Sequence, residues 1–350
     1  MAQILSERQR IVLRDIVRYF IATAIPVGSE FLSKRSKLKV SPATIRNIMA
    51  ELEAMGLLEH PYTSAGRVPT DKGYRFYVDE LMHAEEIPES EKRRIEKTLR
   101  EISDYNELLW ESSQILGRIS RQLAIIFLPH LGSGIFEHLE IIPIASNRLF
   151  IVLSVRSGLV KTIMMEIASE VPHDRIQRIA GLLNERLWGL RLDEIRSTFA
   201  ERIKSVRYLE VEIFDQFAQH ADKIFADLPG RMRVHIAGQQ NIFSQPEFHD
   251  PETVRDVVAL LENEENIVEV FEQSIPREPS KSEMAKVEAW ATIGREHPVR
   301  RLEPYSMVTA LYKAGETVGT VGVLGPKRMR YSKVIPTVRY IAECLSSIMS

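Results

Sequence analysis

The run from Val40 to Leu58 limits what this chain can fold into more than any other stretch. Ser41 can accept a hydrogen bond from an orphan amide of a first helical turn. Pro42 follows at the first helical position, where its missing N–H is not needed. Ile45, Ile48, Met49, Leu52 and Met55 recur at the spacing of one helix face. Gly56 stands where a left-handed residue would end that helix. Thr44, Arg46 and Asn47 occupy the opposite face near its start. A buried stripe with a short polar front end is the layout of a recognition helix entering a DNA major groove.

The flanking residues extend the pattern. Ser6 with Gln9 reads as a capping box, opening a helix that buries Leu13, Ile16, Val17 and Phe20. A turn at Ile25-Pro26-Val27-Gly28 leads into a short helix from Ser29 through Lys34, and a break over residues 36–40 delivers the helix above. The order is helix, helix, turn, helix within about fifty residues. Leu57-Leu58-Glu59-His60 reads as a strand. Residues 61–69 read as a loop with a lone Arg67 near its tip, the wing of a winged helix-turn-helix. Thr70-Asp71 then caps a helix through Tyr74, Phe76, Tyr77, Val78 and Leu81.

Charge agrees with this reading. Lys and Arg outnumber Asp and Glu nine to three between residues 6 and 50, whereas the whole chain carries −2. A basic end on a near-neutral chain is the footprint of a surface that meets phosphate. The 350 residues suffice for two or three domains. No stretch approaches the ~20 apolar residues of a membrane span, and the start lacks the basic-then-apolar order of a secretory signal, so a cytoplasmic protein without a membrane partner is expected. The single cysteine, Cys344, leaves no internal disulfide and no cysteine-based metal site.

Downstream, residues 85–104 are charge-dense, with Pro88 breaking one helix and Ser90 restarting another. A helix carrying Leu108, Leu109, Ile115, Leu116, Ile119 and Leu123 follows, expected to end near Pro129 and to serve as a core helix rather than a dimer seam. Strands are expected at 139–144, 148–155 and 159–165, the last two joined through Arg156-Ser157-Gly158 as a hairpin. Residues 172–227 turn helical and read as an insertion between strand-rich parts. A short strand at 233–238 and a helix opening at Asp250 come next, then strands at 267–271, 290–293, 307–312 and 317–324. Residues 272–286 read as a flexible loop, and a last helix runs from Tyr331 to Met349.

Signals for catalysis are weak. The glycines at 319, 322 and 325 lack the spacing of a dinucleotide or phosphate loop and alternate as a strand does. The nine histidines are scattered, with no helical metal-binding pair. Trp110, Trp188 and Trp290 are expected as core anchors. No enzyme, metal or cofactor is expected.

The residues 42–47 with Leu52 and 56–58, the run Thr63 through Arg75, and the run Gly319 through Tyr331 resemble the bacterial heat-inducible transcription repressor family, HrcA. Tyr62 stands where that family commonly has His, and Lys327 and Arg330 make the C-terminal motif more basic than the resemblance leads one to expect. The resemblance implies an α+β multidomain protein: an N-terminal winged helix-turn-helix, a GAF-like mixed α/β domain, and a mainly helical dimerisation domain inserted into it. It also implies a homodimer on an inverted-repeat operator in double-stranded DNA upstream of chaperone operons, with activity maintained by the GroEL chaperonin.

The expected division is 1–84 for the DNA-binding domain, 85–104 for a linker helix, 105–168 and 241–350 for the two parts of the GAF-like domain, and 169–240 for the insertion. Thr44, Arg46 and Asn47 are expected at base edges. Ser41, Lys34, Lys39 and Arg67 are expected at phosphates or in the wing, contacts that position rather than specify. The alternative is a ligand-sensing winged-helix regulator with a metabolite in the GAF-like domain.

Overall fold

The computed structural model describes residues 5–62, 66–129, 131–168, 171–204, 211–226, 234–249, 255, 267, 271 and 287–349. The Ser6 hydroxyl accepts from the Gln9 amide while the Gln9 side chain accepts from the Ser6 N–H at 2.8 Å. This capping box opens α1 (Glu7–Thr23), which ends at Ala24 in a left-handed conformation. Helix α2 (Ser29–Arg35) follows, then α3 (Pro42–Ala54), and Gly56 at φ +72° ends it. Strands β1 (Leu58–Glu59) and β2 (Val68–Pro69) make a short antiparallel ribbon. Thr70 caps α4 (Asp71–Phe76), which runs on through one π-helical turn to Leu81.

Helices α5 (Glu89–Arg100) and α6 (Tyr105–Ser120) come next. The sequence carried α6 on towards Pro129, but Arg121 turns left-handed and residues 123–127 form strand β3. All five residues of β3 are buried. A short apolar run buried on both faces has no alternation to set it apart from a helix. Strands β4 (Phe136–Ala145), β5 (Arg148–Val155) and β6 (Val160–Glu166) form a three-stranded antiparallel sheet. Helices α7 (His173–Leu187), α8 (Leu192–Ile203) and α9 (Val211–Phe225) pack on it. Then come β7 (Val234–Ala237), α10 (Gln239–Phe243), β8 (Ala289–Ile293), β9 (Tyr305–Ala314), β10 (Thr317–Pro326) and α11 (Tyr331–Ile348). The chain is therefore α+β.

The larger sheet has the order β7-β3-β10-β9-β8, every pairing antiparallel. Its core explains the glycines. Tyr312 on β9 is fully buried, and its hydroxyl donates to the Phe127 carbonyl of β3 at 2.8 Å. The ring must cross β10, and Gly319 lies beneath it in register; a Cβ there would sit 2.3 Å from the ring.

Within residues 105–168, Phe136, Leu139, Ile151 and Ile163 share a core with Ile179, Phe199 and Phe217, not with the five-stranded sheet. Only α6 and β3 of that range join the larger sheet. Ile267 and Phe271, expected on a strand, are helical and buried. The rest of 267–271, the helix expected from Asp250 apart from the helical Arg255, and the loop at 272–286 lie outside the described residues. Trp110 and Trp188, expected as anchors, are 50% and 65% exposed, and Trp290 is half-buried. Trp110 lies on the outer face of α6, and Trp188 follows α7 with the Arg156 guanidinium over its ring at 5.8 Å.

Lys161 points inward from β6 and is buried. Its ammonium donates to the carbonyls of Lys223 at 2.9 Å and Ala226 at 2.6 Å, so a cation closes the C-terminal end of α9. Lys161→Met keeps the apolar stem but removes that donor, and is expected to destabilise the chain by about 2–3 kcal/mol. Urea denaturation at neutral pH would show it. Unchanged stability would mean that water replaces the ammonium there.

Candidate nucleic-acid interface

Helix α3 packs Ile45, Ile48, Met49 and Leu52 inward against α1 and α2. The residues between them face out: Ala43, Arg46, Asn47 and Ala50 are all exposed. They recur at i, i+3, i+4 and i+7, one continuous stripe. Two alanines flank Arg46 and Asn47, so the backbone can approach a surface closely where the two long polar side chains reach furthest. No carboxylate partner holds Arg46 among the described residues. First-turn acids complement the dipoles of α1, α2, α4 and α5, but α3 has none. Its N-terminus is left electropositive and exposed, suited to an anion.

Ser41 and Thr44 act locally. The Ser41 hydroxyl accepts from the Thr44 amide at 3.1 Å, and the two hydroxyls lie 2.9 Å apart. Thr44 is half-buried, and its hydroxyl is engaged with the cap. Lys34 on α2 and Lys39 before α3 are exposed beside this face, Lys39 at φ +44°.

Arg67 lies where the loop rejoins the ribbon, one residue before Val68, rather than near the loop tip. Its backbone pairs with Val27 through two hydrogen bonds of 2.9 Å, and Gly66 beside it leaves room for the Val27 backbone. Its guanidinium meets Glu53 at 2.7 Å and His60 Nδ1 at 2.8 Å, with 15% of the side chain exposed. Glu53 lies one turn beyond the outward stripe of α3, so Arg67 ties the ribbon to that helix. Sequence reasoning missed Glu53, because nothing local marks a carboxylate as the partner of an arginine fourteen residues away.

The N-terminal helices dock on the rest of the chain. One apolar cluster runs without a break from Val12, Ile45 and Tyr74 to Leu99, Tyr331 and Ile341. Polar groups line the seam. Arg75 pairs with Glu296 and Asp79, and Lys327 meets Asp71 at 2.6 Å. Desolvation would raise the Glu85 carboxyl, but the Ser332 hydroxyl and the Arg330 guanidinium bring it below its ordinary value.

His297 is buried at this seam, near Glu296 and Asp71, and burial pushes its pKa from 6.5 down to about 4. The folded state therefore holds it neutral, while the unfolded chain takes up a proton below 6.5. Stability is complete above that value and is expected to fall as pH drops from 6.5 towards 4, by up to about 3 kcal/mol. Denaturation midpoints measured across that window should fall less steeply for His297→Gln. An identical slope would assign the acid sensitivity to other groups.

Among the described residues no helix is long and apolar enough to cross a membrane, and no group of His, Cys, Asp and Glu is placed to hold a metal. A cleft between α5 and α11, lined by Glu96, Arg100, Tyr340 and Cys344, encloses about 210 Å3, less than a usual ligand pocket.

A family model described as the HrcA protein C-terminal domain matches residues 106–335. The heat-inducible transcription repressors HrcA of Chlorobium phaeobacteroides and Prosthecochloris aestuarii are each 40% identical to this chain over 350 residues. Each alignment covers 99% of this chain, and 99% and 98% of the respective relatives. The crystal structure of a hypothetical protein matches over 99% of both chains with a TM-score of 0.59 at 24% identity, a likeness of fold.

Proposed function

This chain belongs to the HrcA family of heat-inducible transcription repressors, regulators and not enzymes, and on that premise we propose that it represses chaperone operons by binding an inverted-repeat operator as a homodimer. The observation that carries the reading is the exposed stripe Ala43–Arg46–Asn47–Ala50 on a helix whose start is capped and electropositive. In this reading residues 5–81 are a winged helix-turn-helix. Arg46 and Asn47 read base edges, and Lys34, Lys39 and the α3 N-terminus at Ser41 meet phosphates. Arg67 braces the wing, and Thr44 supports the helix start. The five-stranded sheet with α6 and α11 forms the GAF-like unit, and residues from about 131 to 226 form the inserted domain.

One winged helix spans too few base pairs to specify a single site, so a two-fold dimer is required. The inserted domain offers a surface for it. Its sheet is covered on one side by α7–α9, and the other side exposes Ile142, Ile144, Val160 and Met164. Ile142, Phe150 and Met164 lie in register across all three strands.

Heat reaches the DNA, in this reading, through folding. A chaperonin keeps the repressor active, and heat-unfolded proteins draw it away. Stability of a few kcal/mol would make modest warming sufficient, and a core built on non-local strand pairing favours slow refolding. Footprinting on the promoter of a chaperonin operon tests this. Mild heating should abolish protection, and chaperonin with nucleotide should restore it. A protein that survives heating, ignores chaperonin and is released by a small molecule would instead be the ligand-sensing regulator.

A further inference from the structure

The basic run between β10 and α11 has no part in the DNA-facing surface, yet all three of its cations reach toward the N-terminal helices or the segment that follows them. Lys327 Nζ meets Asp71, the first residue of α4, at 2.6 Å. Arg328 donates to the Ile21 carbonyl of α1 at 3.3 Å while holding Glu247 through both ends of its guanidinium. Arg330 grips Glu85 with two bonds of 3.0 Å each. Gly294, at φ +57°, completes the arrangement: a Cβ there would lie 2.2 Å from the Asp71 carboxylate, and the next amide, Arg295 N–H, donates to that carboxylate at 3.0 Å.

The chain crosses this seam without regular structure. Residues 82–88 link the π-helical turn to α5 with neither helix nor strand. A segment of that kind leaves the angle between its two ends unset. The angle is set by contacts across the seam, and Glu85, in the middle of the segment, is fastened twice: its N–H donates to the Ser332 carbonyl at 2.7 Å and its carboxylate takes Arg330 and Ser332.

We propose that Lys327, Arg328 and Arg330 are positioning residues for operator recognition, fixing how residues 5–81 sit on the body and hence how far apart, and at what angle, a dimer presents its two α3 helices. The inference rests on the reading of the chain as a dimeric operator-binding repressor. Half-sites on one face of the duplex tolerate little error in that spacing. The apolar packing across the seam holds the two parts together without direction, and the ion pairs and hydrogen bonds of Lys327, Arg328 and Arg330 give the angle its definition.

The test uses the full chain and two readouts. Arg330 is 66% exposed, so Arg330→Glu leaves the apolar seam in place while setting like charges against each other at Glu85. Lys327→Met is the second variant, and Glu85→Arg with Arg330→Glu restores the pair in reverse. The first readout is the distance distribution between spin labels at Lys37→Cys and Arg118→Cys in a Cys344→Ser background. With doubly labelled chains diluted in an excess of unlabelled chain, so that the intrachain pair dominates, a single narrow distance is expected for the parent, a broad one for Arg330→Glu and Lys327→Met, and a narrow one again for the swap. The second is affinity for the footprinted inverted repeat against the same repeat with its spacer lengthened by a few base pairs. The parent should prefer the native spacer by about tenfold or more, and Arg330→Glu should lose most of that preference while its affinity for an isolated half-site is unchanged. A narrow distance that persists in both variants overturns the proposal. If no form of the protein binds the repeat, the operator reading fails, and the label distances still decide whether the clamp exists.

Discussion

Replacing Arg46 with alanine is expected to reduce operator affinity by about 10- to 100-fold while thermal stability is kept or slightly raised. The side chain is exposed and packs on nothing in the core, so its loss removes no buried contact. Alanine is the better helix former, and removing a cation near the α3 N-terminus relieves an unfavourable dipole interaction. The whole effect must therefore fall on DNA. A bidentate guanidinium at a base edge contributes about 1–3 kcal/mol of discrimination. Affinity for random duplex should fall much less, and selectivity at one base step in each half-site should relax. Equal losses on operator and random DNA would move Arg46 to a phosphate. Thr44→Ala should behave differently: because its hydroxyl is engaged with Ser41, the variant should lower helix stability modestly and leave the base preference intact.

Gly73→Ala is expected to destabilise the N-terminal helices and to abolish operator binding with them. Gly73 lies in α4 and is buried, and a Cβ built on it would come 2.1 Å from the Leu57 carbonyl oxygen. That oxygen belongs to backbone, not to the end of a flexible side chain, and it already accepts from the Thr70 amide at 3.2 Å. Alanine in a helix interior would normally gain about 1 kcal/mol over glycine. Forcing backbone apart in a packed seam costs about 3 kcal/mol or more, so the overlap outweighs the propensity. The clash pushes α4 away from the start of β1, which carries the ribbon beside α3. Circular dichroism and thermal melting should show the loss. A variant as stable as the parent would mean that β1 shifts freely, and that the ribbon is not held by α4.

The N-terminal helices were readable because their signals are local. Ser6 with Gln9, Ser41 with Pro42, Gly56 and Thr70 each act within a few residues, and each occurs where expected. Expectations failed where partners are distant. β3 reads as the end of a helix because Leu123 through Phe127 are buried on both faces and carry no alternation. Strands β4–β6 were recognised as strands, but their alternation could not say which core they face; that depends on α7–α9. Arg67 reads as a residue near a loop tip because its partner, Glu53, sits on another element. The basic run at Lys327–Arg330 was visible as charge, and its carboxylates at residues 71, 85 and 247 gave no sign of converging on it.

The most direct test of recognition by paired α3 helices is to titrate the full chain against the footprinted inverted repeat, and against the same duplex with one arm scrambled, while measuring the mass of the complex. Two chains per intact duplex are expected, with affinity falling steeply when one arm is scrambled and falling on both duplexes for Arg46→Ala. Equal affinity for the intact and scrambled duplexes, or one chain per intact repeat, would contradict it.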